Sequence, residues 1–201
     1  MNRYEIHDEL IDNTSVKILQ DYFIKNQNNL NWFYFESVVN LKSEYRKFFT
    51  NPTQLKTKNG DGFVIPIPNE HVILDGNILK IIENITKKVE EKVNKKFQHT
   101  LRTKINLTKP QTFTELDILD AIHLDRQTKH ISFIYYINTN DGGTILFEND
   151  GKTILKKVDC IENRVLVFDG LTPHAGIPST NNDKCVINFN VLEKEKLTKL
   201  I

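Results

Sequence analysis

Cysteine is nearly absent from the 201-residue chain: there are two, Cys160 and Cys185. Two thiols cannot build a disulfide framework, and with no Cys-x-x-Cys spacing they do not suggest zinc. No basic neighbours mark a lowered thiol pKa, so both read as inert free thiols. An excess of charge of one sign is missing too. Lys and Arg number 27 against 26 Asp and Glu, a formal +1 at pH 7. No global field therefore draws the chain to nucleic acid or to an anionic lipid surface. No apolar run approaches the length of a membrane span. The N-terminus, MNRYEIHDELIDN, carries acids where a secretory signal would place its apolar stretch. The expectation is a cytoplasmic protein. Its 39% hydrophobic and 26% charged residues are ordinary for a globular chain. That length suits one domain, 1–201, and is short for two. Function must then be written in a local site.

The first half, 1–99, reads as helical support. Ser15 or Thr14 can cap a helix in which Val16, Leu19 and Phe23 recur at helical spacing. A longer helix is expected over 77–97, where Ile78, Ile81, Ile82, Ile85, Val89, Val93 and Phe97 form one apolar stripe. Between them, 50–77 holds Pro52, Pro66, Pro68, Gly60, Gly62 and Gly76, a loop with a short strand at Phe63–Ile67 and a candidate lid. Trp32, Tyr34 and Phe35 read as core rather than as a substrate entrance.

From about 100 to 193 the period changes. LRTKINL (101–107), HISFIYYIN (130–138), GTILFE (143–148), NRVLVFDG (163–170) and KCVINFNVL (184–192) are short and rich in β-branched and aromatic residues. Asn-, Asp- and Gly-rich turns separate them. Such a series argues for a sandwich, barrel or jelly roll with helices laid over one face, an α+β, mainly β, fold.

His123-Leu124-Asp125 is the first chemical feature. In an extended segment residues i and i+2 face the same way, with Cα atoms roughly 6.5–7 Å apart. An imidazole and a carboxylate so placed can meet one metal ion at about 2.0–2.2 Å. His174 follows about fifty residues later, after the strand NRVLVFDG. Two imidazoles and one carboxylate on one side of a metal leave positions open, the arrangement of non-haem Fe(II) oxygenases. Lys184 comes next and opens the strand KCVINFNVL. Alternation puts Cys185, Ile187, Phe189 and Val191 on one face, and Lys184, Val186, Asn188 and Asn190 on the other. A cation inside a cavity lined by the second face needs an anion. A dicarboxylate bridging metal and lysine would meet that need.

This order on short strands resembles the 2-oxoglutarate- and Fe(II)-dependent dioxygenases, and within them the prolyl 4-hydroxylase-like branch. Ile134-Tyr135-Tyr136-Ile137-Asn138, Asp141-Gly142-Gly143-Thr144 with Phe147, and Asn163-Arg164-Val165-Leu166-Val167-Phe168 are similar to strand motifs of that branch. The resemblance implies a double-stranded β-helix with N-terminal helices packed outside its major sheet. It implies that His123, Asp125 and His174 hold Fe(II) and serve catalysis. Lys184, assisted by the Tyr135 hydroxyl, would bind the far carboxylate of 2-oxoglutarate. O2 would be the second co-substrate, with ascorbate an allowed accessory. The implied activity is hydroxylation of an unactivated C–H bond coupled to conversion of 2-oxoglutarate to succinate and CO2. Retention of Asp125 favours hydroxylation over halogenation. One departure stands out: a tyrosine expected shortly before the His-x-Asp pair is absent. Arg102, Lys104 and Asn106 on the preceding strand are the candidates to stand in for it. The primary substrate, a prolyl peptide or a small molecule, is not legible, and near-neutral charge weighs against nucleic acid. The alternative is a non-enzymatic β-sandwich or cupin-like binding protein whose histidines are incidental. His130 reads as a surface or strand-end residue, and His7, His71 and His99 as structural or solvated.

Overall fold

The computed structural model describes residues 3–35, 48–49, 62–67 and 73–194. Among the described residues eleven strands run in chain order: β1 Tyr4–His7, β2 Trp32–Phe35, β3 Phe48–Phe49, β4 Gly62–Ile67, β5 Phe97–Thr108, β6 Ile131–Tyr136, β7 Gly143–Phe147, β8 Ile154–Asp159, β9 Arg164–Asp169, β10 His174–Ile177 and β11 Lys184–Glu193. Three α-helices accompany them, α1 Asn13–Gln20, α2 Gly76–Val93 and α3 Glu115–Asp120. One sheet has the order β1-β9-β6-β11-β5-β4-β2-β3, and a second the order β10-β7-β8. Neighbours in both are antiparallel. This is the double-stranded β-helix, its cavity lined by residues of both sheets. Among the described residues, no helix is long and apolar enough to cross a membrane.

Helices α1 and α2 cover one face of the large sheet, while α3 packs against β10 of the small one. The buried stripe of α2 (Ile78, Ile81, Ile82, Ile85, Val89) and that of α1 (Val16, Leu19) share a core with Phe133, Tyr135, Ile187, Phe189 and Val191 of the central strands. Each buried aliphatic side chain of this kind contributes about 1.5–3 kcal/mol, so the stripe fixes the helices to the sheet. Two boundaries differ from expectation. The α1 cap is Asp12, neither Thr14 nor Ser15: Asp12 is extended (φ −67°, ψ 150°), and its carboxylate accepts from Ser15 N at 2.9 Å and Ser15 Oγ at 2.7 Å. Helix α2 stops at Val93, not 97. Asn94 takes the left-handed conformation (φ 50°, ψ 46°) that ends a helix, and Glu90 accepts from Phe97 N at 2.6 Å as Phe97 opens β5.

The first 99 residues are also more than helical. β1 extends the large sheet beside β9, and β2 and β4 extend it beyond β5. Trp32 lies on β2, fully buried, and donates its indole N–H to Gln27 O at 2.9 Å, in the core as expected. The strand within 62–67 forms, while residues 50–61 and 68–72 of the candidate lid lie outside the described residues, as does His71.

Strands β6 and β11 are buried on both faces, and pairing shows which side chains share a face. Tyr136, Ile134 and Ser132 pair with Val186, Asn188 and Asn190 of β11, which in turn pair with Asn106, Lys104 and Arg102 of β5. This lattice is the cavity wall. Its polar composition, inside a protein, already marks it as more than a packing surface. The turn into β7 needs glycine: a Cβ on Gly143 would stand 2.4 Å from Val158 O.

Candidate metal centre and cavity

His123 and His174 are brought together by the backbone. Outside the named strands, His123 forms a bridge with His174: His123 N donates to His174 O and His174 N to His123 O, each at 3.0 Å. The imidazole centroids are 4.4 Å apart. Each ring is also oriented locally, His123 Nδ1 toward Ala121 O at 3.0 Å and His174 Nδ1 toward Thr172 O at 3.1 Å. A carbonyl only accepts, so Nδ1 carries the proton and Nε2 keeps its lone pair. Those two Nε2 atoms face Asp125, His123 at 3.9 Å from Oδ1 and His174 at 3.8 Å from Oδ2. One donor atom from each of the three residues lies within 4.8 Å of the others.

The protonation states suit a metal. Burial pushes His123 down to about 4 and lowers His174 as well, so both rings are neutral at neutral pH. Burial opposes ionisation of Asp125, but His174, Arg102, Lys104 and an Asn190 hydrogen bond outweigh it and hold its carboxyl well below the usual range. Two lone pairs thus point toward a carboxylate with no proton between them. His174 Nε2 is buried with no hydrogen-bond partner. Such an arrangement is unfavourable unless a cation sits among the three donors, and an N,N,O set of this kind fits Fe(II).

The carboxylate is itself clamped. The Arg102 guanidinium bonds Asp125 Oδ1, and its Nε donates to Asn190 Oδ1 at 2.8 Å. Asn190 Nδ2 donates to Asp125 Oδ2 and to Ser132 Oγ, each at 2.9 Å. Ser132 meets His130 Nε2 at 3.1 Å, and His130 Nδ1 meets Thr128 O at 2.7 Å. His130 is therefore a strand-end residue, but at 3% exposure it is not on the surface. It belongs to the support behind Asp125.

From His123 and His174 a cavity of about 140 Å³ runs between the sheets, lined among others by Lys104, Asn106, Ile134, Thr144, Gly176 and Asn188. Lys184 is buried behind the lining residue Gly176. Its ammonium donates to Ile177 O at 2.8 Å and to Gly143 O, and a Cβ on Gly176 would stand 3.7 Å from it. Two of its three N–H groups are thereby used and one is left for a ligand. Burial lowers its pKa to about 8.

Tyr135 is not where its expected role requires it. It pairs with Ile187 on the helix face, and its hydroxyl donates to Asn163 Oδ1 at 3.1 Å. The tyrosine on the cavity face is Tyr136, whose hydroxyl donates at 2.8 Å to Thr144 Oγ1, a residue of the cavity lining. Of the three residues left open on the preceding strand, Arg102 clamps Asp125, while Lys104 and Asn106 line the cavity. The Asn190–Ser132–His130 support was not anticipated. Its only trace in the sequence is that Asn190 shares a face with Lys184. Burial raises both thiols, in keeping with inert cysteines.

No family model and no curated protein matches the sequence. Solved structures do. A prolyl 4-hydroxylase from Pseudomonas putida aligns over 94% of this chain and 92% of its own, at TM-score 0.60 and 14% identity. A viral collagen prolyl hydroxylase from Paramecium bursaria Chlorella virus-1, in its 2-oxoglutarate complex, aligns over 94% and 96%, at 0.58 and 15%. A prolyl hydroxylase from Trichoplax adhaerens, in complex with a hypoxia inducible factor oxygen degradation domain peptide fragment, aligns over 96% and 84%, at 0.63 and 15%. At such identities the likeness is one of fold, and the chain has the fold of these hydroxylases.

Proposed function

We propose that the chain is a single-domain 2-oxoglutarate- and Fe(II)-dependent dioxygenase that hydroxylates an unactivated C–H bond. One observation carries this reading: His123 and Asp125, joined by His174 from about fifty residues on, present metal-ready donors within 4.8 Å of one another beside a cavity that His123 and His174 line. When bound, iron and 2-oxoglutarate would supply the oxidising chemistry, with O2 consumed and succinate and CO2 released.

The chain's own residues do the rest. His123, Asp125 and His174 hold the metal on one side and leave positions open on the other. Arg102 and Asn190 fix the carboxylate, and the Ala121 and Thr172 carbonyls fix the imidazoles, so the donor geometry exists before any ligand arrives. The remaining Lys184 N–H receives the far carboxylate of 2-oxoglutarate and sets its direction. Tyr136 and Thr144 supply the neighbouring polar wall, the role expected of Tyr135. Ile134 and Val186 keep that wall dry, which strengthens each polar contact. The primary substrate is read as a prolyl residue of a peptide or a small molecule, acted on in the cytoplasm. A non-enzymatic binding module has less in its favour, since it gives no reason for an orphaned His174 Nε2.

The test is anaerobic addition of Fe(II) and then 2-oxoglutarate. A visible metal-to-ligand charge-transfer band is expected, and its absence from protein with all three ligands intact would overturn the reading. Succinate release over a panel of peptides and metabolites, with a gained oxygen detected by mass, then identifies the substrate.

A further inference from the structure

Lys104 is a buried charge to which the fold gives no hydrogen-bond acceptor. It stands on β5 in the cavity-facing row with Arg102 and Asn106, opposite Asn188 of β11. It is 4% exposed and lines the cavity. Among the described residues no carboxylate, carbonyl or hydroxyl accepts from its ammonium. The neighbouring buried cations are provided for, Arg102 by Asp125 and Asn190, and Lys184 by two backbone carbonyls. A buried ammonium without an acceptor is costly, and such groups are kept where a ligand supplies the missing partner.

Its position says where that ligand lies. On β5, Lys104 stands two residues from Arg102, which bonds Asp125, and four from Thr108, which pairs with Lys184. The two lysines therefore stand toward opposite ends of this row, Lys104 nearer the metal ligands. Around Lys104, Asn106 Oδ1 and Asn188 Oδ1 are also buried without partners. A half-turn of either carboxamide presents an N–H to the same place, since the two ends of the group are isosteric.

We infer that Lys104 is a second carboxylate anchor. It receives the carboxylate at the metal end of the cavity while Lys184 receives the one at the far end, so the protein grips a dicarboxylate even without metal. The identity of that dicarboxylate as 2-oxoglutarate rests on the function proposed above. The competing source of the carboxylate is the primary substrate, and the experiment separates the two.

Full-length protein freed of metal with a chelator is titrated calorimetrically with 2-oxoglutarate, succinate and butyrate. Wild type is expected to bind both dicarboxylates and to bind butyrate at least about tenfold more weakly, one charge-assisted hydrogen bond being lost. Lys104→Met should weaken both dicarboxylates by about tenfold or more, on the same scale, and Lys104→Arg should restore most of the loss. Unliganded Lys104→Met should melt at the same temperature as wild type or higher, because a buried ammonium with no hydrogen-bond acceptor has been removed. Dicarboxylate binding unchanged in Lys104→Met assigns the carboxylate to the primary substrate and overturns the inference. So does a metal-free wild type that binds neither dicarboxylate, or a Lys104→Met protein that melts well below wild type. Loss of the charge-transfer band in iron-loaded wild type would count against the proposed function. A normal band with Lys104→Met binding like wild type would count against this inference alone.

Discussion

Replacing Lys184 by Met separates ligand binding from folding. The ammonium makes two hydrogen bonds to buried carbonyls, Gly143 O and Ile177 O. Removing it leaves those acceptors unsatisfied, at about 1–3 kcal/mol each. Against that stands the charge itself: burial has lowered its pKa from 10.5 to about 8. Each pKa unit is worth about 1.4 kcal/mol, so carrying the charge at neutral pH costs on the order of 3 kcal/mol, which the variant recovers. The two effects nearly offset, and Lys184→Met should unfold within about 2 kcal/mol of wild type. The carboxylate, however, loses a charge-assisted hydrogen bond of about 1.5–3 kcal/mol, which weakens 2-oxoglutarate roughly 10- to 150-fold. Fe(II) should bind almost as before, because none of the three ligand candidates contacts Lys184. Anaerobic titration of the charge-transfer band gives the 2-oxoglutarate affinity, Fe(II) titration the metal affinity, and urea denaturation the stability. If 2-oxoglutarate affinity is unchanged, or if Fe(II) affinity falls in the same proportion, the role given to Lys184 is wrong.

The remaining expectations concern the supports of the site. Arg102→Ala frees one side of Asp125 and should lower Fe(II) affinity about 10- to 100-fold, the usual effect of removing a partner behind a metal ligand; Mn(II) or Fe(II) titration checks it, and unchanged affinity would remove Arg102 from the centre. Tyr135→Phe should leave 2-oxoglutarate affinity alone and lower stability by about 1 kcal/mol, while Tyr136→Phe should weaken 2-oxoglutarate several-fold. The reverse pattern in the same titrations would restore Tyr135 to the cavity. Lys104 and Lys184 have pKa values near 8 in the folded chain against 10.5 for the ordinary side chain. Between about pH 8 and 10.5 the unfolded chain binds more protons, so these two groups make the ligand-free protein more stable as pH rises. Dicarboxylate affinity should move the other way, falling as the ammonium groups lose their protons. Urea midpoints and calorimetric titrations at pH 7 and 9.5, with the Lys104→Met, Lys184→Met double variant as reference, test both signs.

Residue order alone revealed the spacing of the chemistry and the alternation of the strands. His123-x-Asp125, His174 and Lys184 could be singled out because ligand type and order along the chain are one-dimensional properties. The two faces of β11 could be read because one is apolar and the other polar. The apolar stripe of α2 was equally plain, though its last turn was not, since Asn94 ends the helix through a backbone conformation that leaves the stripe unbroken.

Strand pairing was needed to tell which neighbour of an ambiguous pair faces the site. On β6 every residue is buried, so no polar alternation distinguishes Tyr135 from Tyr136, and only pairing with β11 assigns Tyr136 to the cavity. Arg102, Lys104 and Asn106 share one face of β5 and could not be ranked from their order. Their register against Asn190, Asn188 and Val186 gives one to the Asp125 carboxylate and two to the cavity. β1 and β2 likewise became strands through the sheet edges they join. A chain's order of residue types fixes what chemistry is available, but distances between segments far apart in sequence are set by packing and register, and those are where the site acquires its geometry.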